Sequence, residues 1–212
     1  MPTDMTTNLI WAALLGYLIG SIPFGLLLTK AAGMGDVRQI GSGNIGATNV
    51  LRTGNKGLAA GTLVLDLLKG FAPVAVAGHL WGEVAMAFAA GAAVLGHCFP
   101  VWLGFKGGKG VATFAGLLPF VSLPAFYVAA PVWLSIFAIT RISSLAALTA
   151  AALVAPGAWF VEELMHRPHN WFVLLGLAGL SIFVFWTHRA NLGRLLKGTE
   201  PRFGSSKAKP DA

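Results

Sequence analysis

The chain has 212 residues, of which 56% are hydrophobic and only 11% charged, and its mean hydropathy is +0.72. Soluble domains carry about a quarter charged residues, so this balance excludes an ordinary water-soluble fold and marks an integral membrane protein. The formal charge of +7 is a topology signal, since basic residues gather in cytoplasmic loops, and it makes no case for nucleic acid; the single cysteine, Cys98, excludes an internal disulfide and a multi-cysteine metal site.

Hydropathy predicts spans near 8–28, 57–78, 84–103, 145–163 and 171–187, each close to what a bilayer core requires. No small-residue cleavage site follows the first apolar segment, so a retained span is expected there rather than a removed signal peptide. The stretch 110–140 is interrupted by Pro119, Pro124 and Pro131 and reads as one kinked helix or two short ones. Charge separates these readings. With two helices, Lys30, Arg38, Arg52, Lys56, Lys106, Lys109, Arg141, Arg189, Arg194, Lys197, Arg202, Lys207 and Lys209 share one face, and only Arg167 falls on the other. With one helix they divide between faces and the positive-inside rule fails. The expectation is an all-α protein of seven transmembrane helices, N-terminus outside and C-terminus cytoplasmic. Residues 1–204 form a single seven-span membrane domain, and 205–212 a disordered polar tail.

In chain order, the first polar segment is Asp36-Val37-Arg38 followed by Gly41-Ser42-Gly43-Asn44-Ile45-Gly46-Ala47-Thr48-Asn49 and Arg52. It offers hydroxyls, amides, flexible backbone and a fixed cation, a set able to hold several oxygens of one phosphate. An ordinary Asn/Ser/Gly turn would use the same residues, but polar groups beside apolar spans are costly unless paired. Asp66 and Lys69 lie inside the second span three residues apart, where each neutralises the other, and a structural ion pair is the expectation. Gly96-His97-Cys98-Phe99-Pro100 leads into Phe105-Lys106-Gly107-Gly108-Lys109-Gly110, which opens the fourth span. A helix start of this kind suits an anion. Its spacing is not that of a nucleotide-binding P-loop, so nucleotide hydrolysis is rejected. Lys109 is the better phosphate ligand, Lys106 a membrane anchor, and His97 a support for the loop.

Ser143 and Ser144 flank a helix start, where capping is the plain reading. His166 and His169 with Glu162 and Glu163 resemble a metal pair only by accident. At the C-terminal end, His188 and Asn191 share a helix face in Thr187-His188-Arg189-Ala190-Asn191. A histidine there can orient a hydroxyl or take its proton, or serve merely as an interfacial anchor.

Gly20-Ser21-Ile22-Pro23-Phe24-Gly25, Gly41–Asn49, Gly96–Pro100 with Phe105–Gly110, and His188-Arg189-Ala190-Asn191 together resemble the bacterial acyl-phosphate:glycerol-3-phosphate acyltransferases, in the family's motif order from residue 10 to 204. The resemblance implies a seven-span bacterial inner-membrane enzyme with its site at the cytoplasmic face and no cofactor or metal. It implies acyl transfer from a fatty acyl phosphate to the 1-hydroxyl of sn-glycerol 3-phosphate, giving lysophosphatidic acid and phosphate in phospholipid synthesis. Membrane lipid is the setting, and contact with the enzyme that produces acyl phosphate is possible. It also implies phosphate and substrate binding by Ser42, Asn44, Thr48, Arg52, Gly107, Gly108 and Lys109. His188 and Asn191 would hold the glycerol hydroxyl, Ser144 is a weaker candidate for the acyl-phosphate pocket, and Glu200 pairs with an arginine to secure the C-terminal segment. Consistently, no His is followed four residues later by Asp, the signature of acyl-CoA-using acyltransferases. Two other classes share some features. A transporter would need polar groups along a path across the bilayer, and a metal-dependent phosphotransferase would need clustered aspartates, of which this chain has four, scattered.

Overall fold

The computed structural model describes residues 4–204; the tail expected at 205–212 lies outside them. Helices α1 (Met5–Gly20) and α2 (Phe24–Ala31) form one apolar stretch broken at Ser21–Pro23. Pro23 lacks an N–H and disfavours helix at the preceding residue, which places the break. A short helix, α3 (Ala47–Val50), follows the first glycine-rich loop. Then come α4 (Lys56–Trp81), α5 (Glu83–Cys98), α6 (Val111–Val121), α7 (Leu123–Thr140), α8 (Ser143–Leu164), α9 (Trp171–Thr187) and α10 (Arg189–Leu196).

The stretch 110–140 is two helices, the alternative that charge favoured. The break falls at Ser122, whose hydroxyl caps α7 by accepting from Ala125 N. Helix α6 has 11 residues, about 16 Å at 1.5 Å per residue against a hydrocarbon core of about 30 Å. Among the described residues, five helical stretches are long and apolar enough to cross a bilayer by length and composition, and α9 with α10, bent by 65°, adds a sixth.

Small residues bring helices together without loss of backbone geometry. A Cβ on Gly16 would lie 2.3 Å from the Ala89 carbonyl oxygen, and one on Gly70 would lie 2.1 Å from that of Thr113. Without a hydrophobic drive between helices in lipid, such close approach is what van der Waals packing requires. The main core runs through Val74, Ala89, Leu117, Val154 and Leu177, and a smaller cluster of Leu26, Val37, Ile45, Val50 and Ala59 lies under the first loop. Leu103, from the second polar segment, packs on that smaller cluster. Large apolar side chains such as Ile139, Leu175 and Ile182 face outward, which suits lipid and not water.

Candidate active site

The first loop is built around one side chain. Asn49 is buried, and its Nδ2 donates to the carbonyls of Val37 (2.8 Å), Ile40 (2.9 Å) and Asn44 (2.8 Å), while its Oδ1 accepts from Ser42 N at 3.1 Å. The amide is the partner of the Asn44 carbonyl and the Ser42 N–H and a second donor to the Val37 and Ile40 carbonyls, which also accept from Ile40 N and Gly43 N. Asn44 Oδ1 accepts from Gly46 N at 2.9 Å, an Asx turn that leads into α3. Gly41 has a φ of +58°, and a Cβ there would stand 2.6 Å from Asn49 Oδ1 and 2.8 Å from Arg52 Nη1. Only glycine lets the loop pass both side chains in this conformation. Arg52 therefore lies against the loop, exposed at its rim. Arg38 is engaged elsewhere, 2.6 Å from Asp36; its hydrogen bonds hold the Asp36 carboxyl down at about 2.

The second loop turns back onto the end of α5. Gly107 N donates to the Cys98 carbonyl (3.1 Å) and Gly108 N to that of His97 (3.0 Å). These two amides are thus already committed, a departure from the picture of free N–H groups along the glycine run. The glycines serve by shape: a Cβ on Gly107 would lie 2.2 Å from the His97 carbonyl oxygen, and one on Gly108 1.9 Å from His97 Nε2. Gly110, at a φ of +80°, sets the start of α6 without a side-chain cap, so the first-turn N–H groups of α6 lack that partner.

Lys109 is where the distant pieces meet. Its Nζ donates to Asn191 Oδ1 at 2.5 Å, and its carbonyl accepts from Thr187 Oγ1 at 3.2 Å. Asn191 Nδ2 donates to Glu200 Oε1 (2.6 Å), as does Ser144 Oγ (2.6 Å), and Arg194 Nε donates to Glu200 Oε2 at 2.7 Å. Burial pushes the Lys109 ammonium down to about 8; Glu200 opposes this, while Arg194 and Arg52 press in the same direction. Arg52 is therefore near enough for its charge to act on Lys109. Burial disfavours the Glu200 carboxylate, yet the hydrogen bonds from Ser144, Asn191 and Arg194 outweigh it and hold its pKa below the usual range.

His188 sits on the bend between α9 and α10, buried, with Nδ1 2.8 Å from the Val184 carbonyl oxygen. That contact assigns the proton to Nδ1 and leaves Nε2 as the basic nitrogen. Burial and the nearby Lys109 lower its pKa to about 4, so the ring is neutral near pH 7.

The structure brings Lys109, Asn191, Ser144 and His188 together, with Arg52 facing them electrostatically. Ser42, Asn44 and Thr48 lie on the first loop, exposed or half-buried, the first two bound up in the loop's own hydrogen bonds. Ser144 is no helix cap, since its hydroxyl goes to Glu200. Glu200 does pair with Arg194, as expected, and gathers Ser144 and Asn191 as well. It is the sole acidic residue between 188 and 204, a signal that marked it for more than an anchor. Thr187, which clasps the Lys109 backbone, and Asn49, which organises the first loop, carried no assigned role in the sequence. His169 contacts Glu162 (3.3 Å) and Glu163 (3.0 Å) at the opposite end, and no group of three or more His, Cys, Asp or Glu able to hold a metal occurs among the described residues.

A helical protein with large apolar side chains facing outward and a cluster of Lys109, Asn191, Arg194, Ser144 and Glu200 where its last helices meet the second loop is an integral membrane protein with a polar cluster at one end of its bundle. The chain belongs to the glycerol-3-phosphate acyltransferase family, whose model matches residues 10–198. A glycerol-3-phosphate acyltransferase of Hyphomonas neptunium is 65% identical over 198 residues, covering 92% of this chain and 93% of that one. One of Mesorhizobium japonicum is 56% identical over 201 residues, covering 95% and 99%. The fold is similar to that of PlsY (YgiH), an integral membrane glycerol 3-phosphate acyltransferase. Its glycerol 3-phosphate form has a TM-score of 0.81 at 40% identity, with 92% of this chain and 96% of that chain covered. Its lysophosphatidic acid form has a TM-score of 0.80 at 39% identity, with coverage of 92% and 95%.

Proposed function

We propose that the chain transfers a fatty acyl group from acyl phosphate to the 1-hydroxyl of sn-glycerol 3-phosphate, forming lysophosphatidic acid and inorganic phosphate. The observation that carries this reading is the Lys109–Asn191 contact at 2.5 Å, which sets a half-buried cation beside the bend that bears His188. Arg52 supplies the second cation. Both substrates carry phosphate, and two cations with several amides at one end of the bundle suit a pair of such heads while the acyl tail stays in lipid. Ser42, Asn44 and Thr48 complete the phosphate contacts from the first loop, Gly107 and Gly108 shape the floor, and Ser144 borders the donor's side.

The hydroxyl oxygen attacks the acyl carbonyl carbon, a carbon–oxygen bond to phosphate breaks, and phosphate leaves with the bonding pair. Acyl phosphate is already an activated anhydride, so positioning and charge neutralisation supply most of what is needed. His188 Nε2 accepts from the hydroxyl and orients it, with Asn191 alongside. A nitrogen with a pKa of about 4 holds a proton poorly at neutral pH, so the departing phosphate is the better final acceptor. Accordingly, His188→Ala is expected to lower kcat about a hundredfold with little change in KM for the donor. A change confined to KM makes His188 a binding residue.

The positive-inside rule supports seven crossings in one membrane domain, residues 1–204, with α6 as a short seventh, the N-terminus outside and the loop end cytoplasmic in the bacterial inner membrane. That side is where a soluble polyol phosphate and an acyl phosphate handed over by its producing enzyme would meet. The experiment is a turnover assay on the purified chain in lipid nanodiscs, with acyl phosphate, acyl-CoA or acyl carrier protein as donor. Product and phosphate in equal amounts from acyl phosphate alone is the expected result. Absence of turnover, with uptake of glycerol phosphate into proteoliposomes, would establish a transporter instead.

A further inference from the structure

The second span contains two charged residues that the proposed chemistry does not use. Lys69 Nζ lies 2.7 Å from Asp66 Oδ1, and both side chains are almost wholly buried, at 1% and 3% exposure. A buried ion pair is weak evidence for stability, because apolar replacements of similar volume are often neutral or stabilising. In lipid such residues are expensive and call for a reason. The reason lies in what the pair holds. Lys69 Nζ also donates to the Ile22 carbonyl at 2.8 Å, at the Ser21–Pro23 break between α1 and α2. Its ammonium stands 5.6 Å from the centroid of the Phe24 ring, the first residue of α2. One residue on, Gly25 touches the first loop, where a Cβ would lie 1.9 Å from the Ile45 carbonyl oxygen. In the other direction, Asp66 Oδ1 packs 3.8 Å from His97 Nδ1, beyond hydrogen-bond length, and Thr113 Oγ1 is hydrogen-bonded to that nitrogen at 3.1 Å. His97 then seats the second loop twice, through its carbonyl on Gly108 N (3.0 Å) and through its ring against Gly108.

We propose that Lys69, Asp66 and His97 form a positioning strut that fixes the first glycine-rich loop relative to the second, and so sets the separation of Arg52 from Lys109. The inference rests on the acyltransferase reading for its kinetic consequence, though its geometric consequence stands without it. The strut runs from Ile45 through Gly25 and Ile22 to Lys69, Asp66 and His97, and ends at Gly108, one residue before Lys109. Lys69, Asp66 and His97 are not among the residues assigned to the substrates. Each acts by holding a break in helical structure at a set place: the α1–α2 break, the end of α5 and the start of α6. Loss of the strut is therefore expected to alter capture of a substrate that needs both loops, with the folded bundle preserved.

Three variants of the full chain in nanodiscs test this: Thr113→Val, His97→Leu, and the charge-balanced pair Asp66→Asn with Lys69→Met. Two readouts apply to each. The first is steady-state kinetics. The second is the distance between nitroxide labels on Gln39→Cys and Phe105→Cys, both exposed positions, in a Cys98→Ala background. The strut predicts a broadened label-to-label distance and a KM for glycerol 3-phosphate raised about tenfold, with kcat changed less, because small misplacements of binding groups are costly. Thr113→Val removes only the hydroxyl that holds the His97 ring, so it decides the matter if the others fail to fold. Folded variants with wild-type distances and KM would overturn the strut, as would a lowered melting temperature with kinetics and distances unchanged. A wild-type protein without turnover refutes the acyltransferase reading alone, since the distances still report on the strut.

Discussion

The two glycine-rich loops of the proposed site are held in different ways. The first, residues 36–55, is held from within: every hydrogen bond of Asn49 stays between Val37 and Asn49, the Asx turn closes over two residues, and Arg38 is tied to Asp36. The second, residues 99–110, turns on itself between Pro100 and Lys106 but is held at both ends from outside. Its outward bonds go to the end of α5, to Thr187 at the end of α9 and Asn191 on α10, and to the end of α1, where Tyr17 donates to the Phe99 carbonyl (2.8 Å) and Ser21 accepts from Trp102 (2.7 Å). A self-capped loop keeps its shape as long as its own sequence is intact. A borrowed loop takes its shape from the assembled bundle, and its lysine is set only once the last helix has docked.

That contrast gives graded predictions. Gly108→Ala is the largest, because a Cβ 1.9 Å from His97 Nε2 requires the loop or the ring to move; kcat/KM is expected to fall about a hundredfold, the cost of a misplacement near 1 Å. Wild-type kinetics in this variant would show that the second loop tolerates displacement. Asn49→Ala comes next. It takes the amide partner from the Asn44 carbonyl and the Ser42 N–H, at about 1 to 3 kcal/mol each, while the Val37 and Ile40 carbonyls keep one backbone donor apiece, so the first loop is expected to lose protection from proteolysis or hydrogen exchange, with activity down about tenfold. Loss of protection spreading equally to the second loop would contradict the self-contained reading.

The smallest effect is a pH limb. Lys109 carries its charge below about pH 8 and is neutral above it, so affinity for an anion is present at low pH and lost as pH rises. For the free enzyme, kcat/KM for glycerol 3-phosphate should fall about tenfold per unit above that point. Lys109→Arg moves this limb out of range, since guanidinium stays protonated. A limb that persists unchanged in Lys109→Arg belongs to another group.

The same contrast explains what could be read from the sequence. The first loop was legible because its chemistry is local: Asn, Ser and Gly at short spacing carry their own turn signals. The spans were legible by apolar length, and the two-helix reading of 110–140 by charge sidedness. Expected ion pairing of Asp66 with Lys69 followed from a spacing of three on a helix. Less could be foreseen where partners are far apart. Ser144 meets Glu200 across 56 positions, and Lys109 meets Asn191 across 82. Helical periodicity says nothing about such pairs. The amides of Gly107 and Gly108 were expected to face an anion, yet the turn onto α5 uses them, because a buried backbone donor takes the nearest carbonyl. Helix α6 shows the limit of hydropathy, which measures apolar content and not where a proline-rich stretch breaks.

The claim that both loops build one site is tested most directly by steady-state turnover of Arg52→Ala and Lys109→Ala, side by side in the same nanodiscs with acyl phosphate and glycerol 3-phosphate. Each is expected to lose more than about a hundredfold in kcat/KM while circular dichroism and insertion match the unsubstituted protein. Near-normal kinetics in either variant would contradict the account, leaving that loop outside the site.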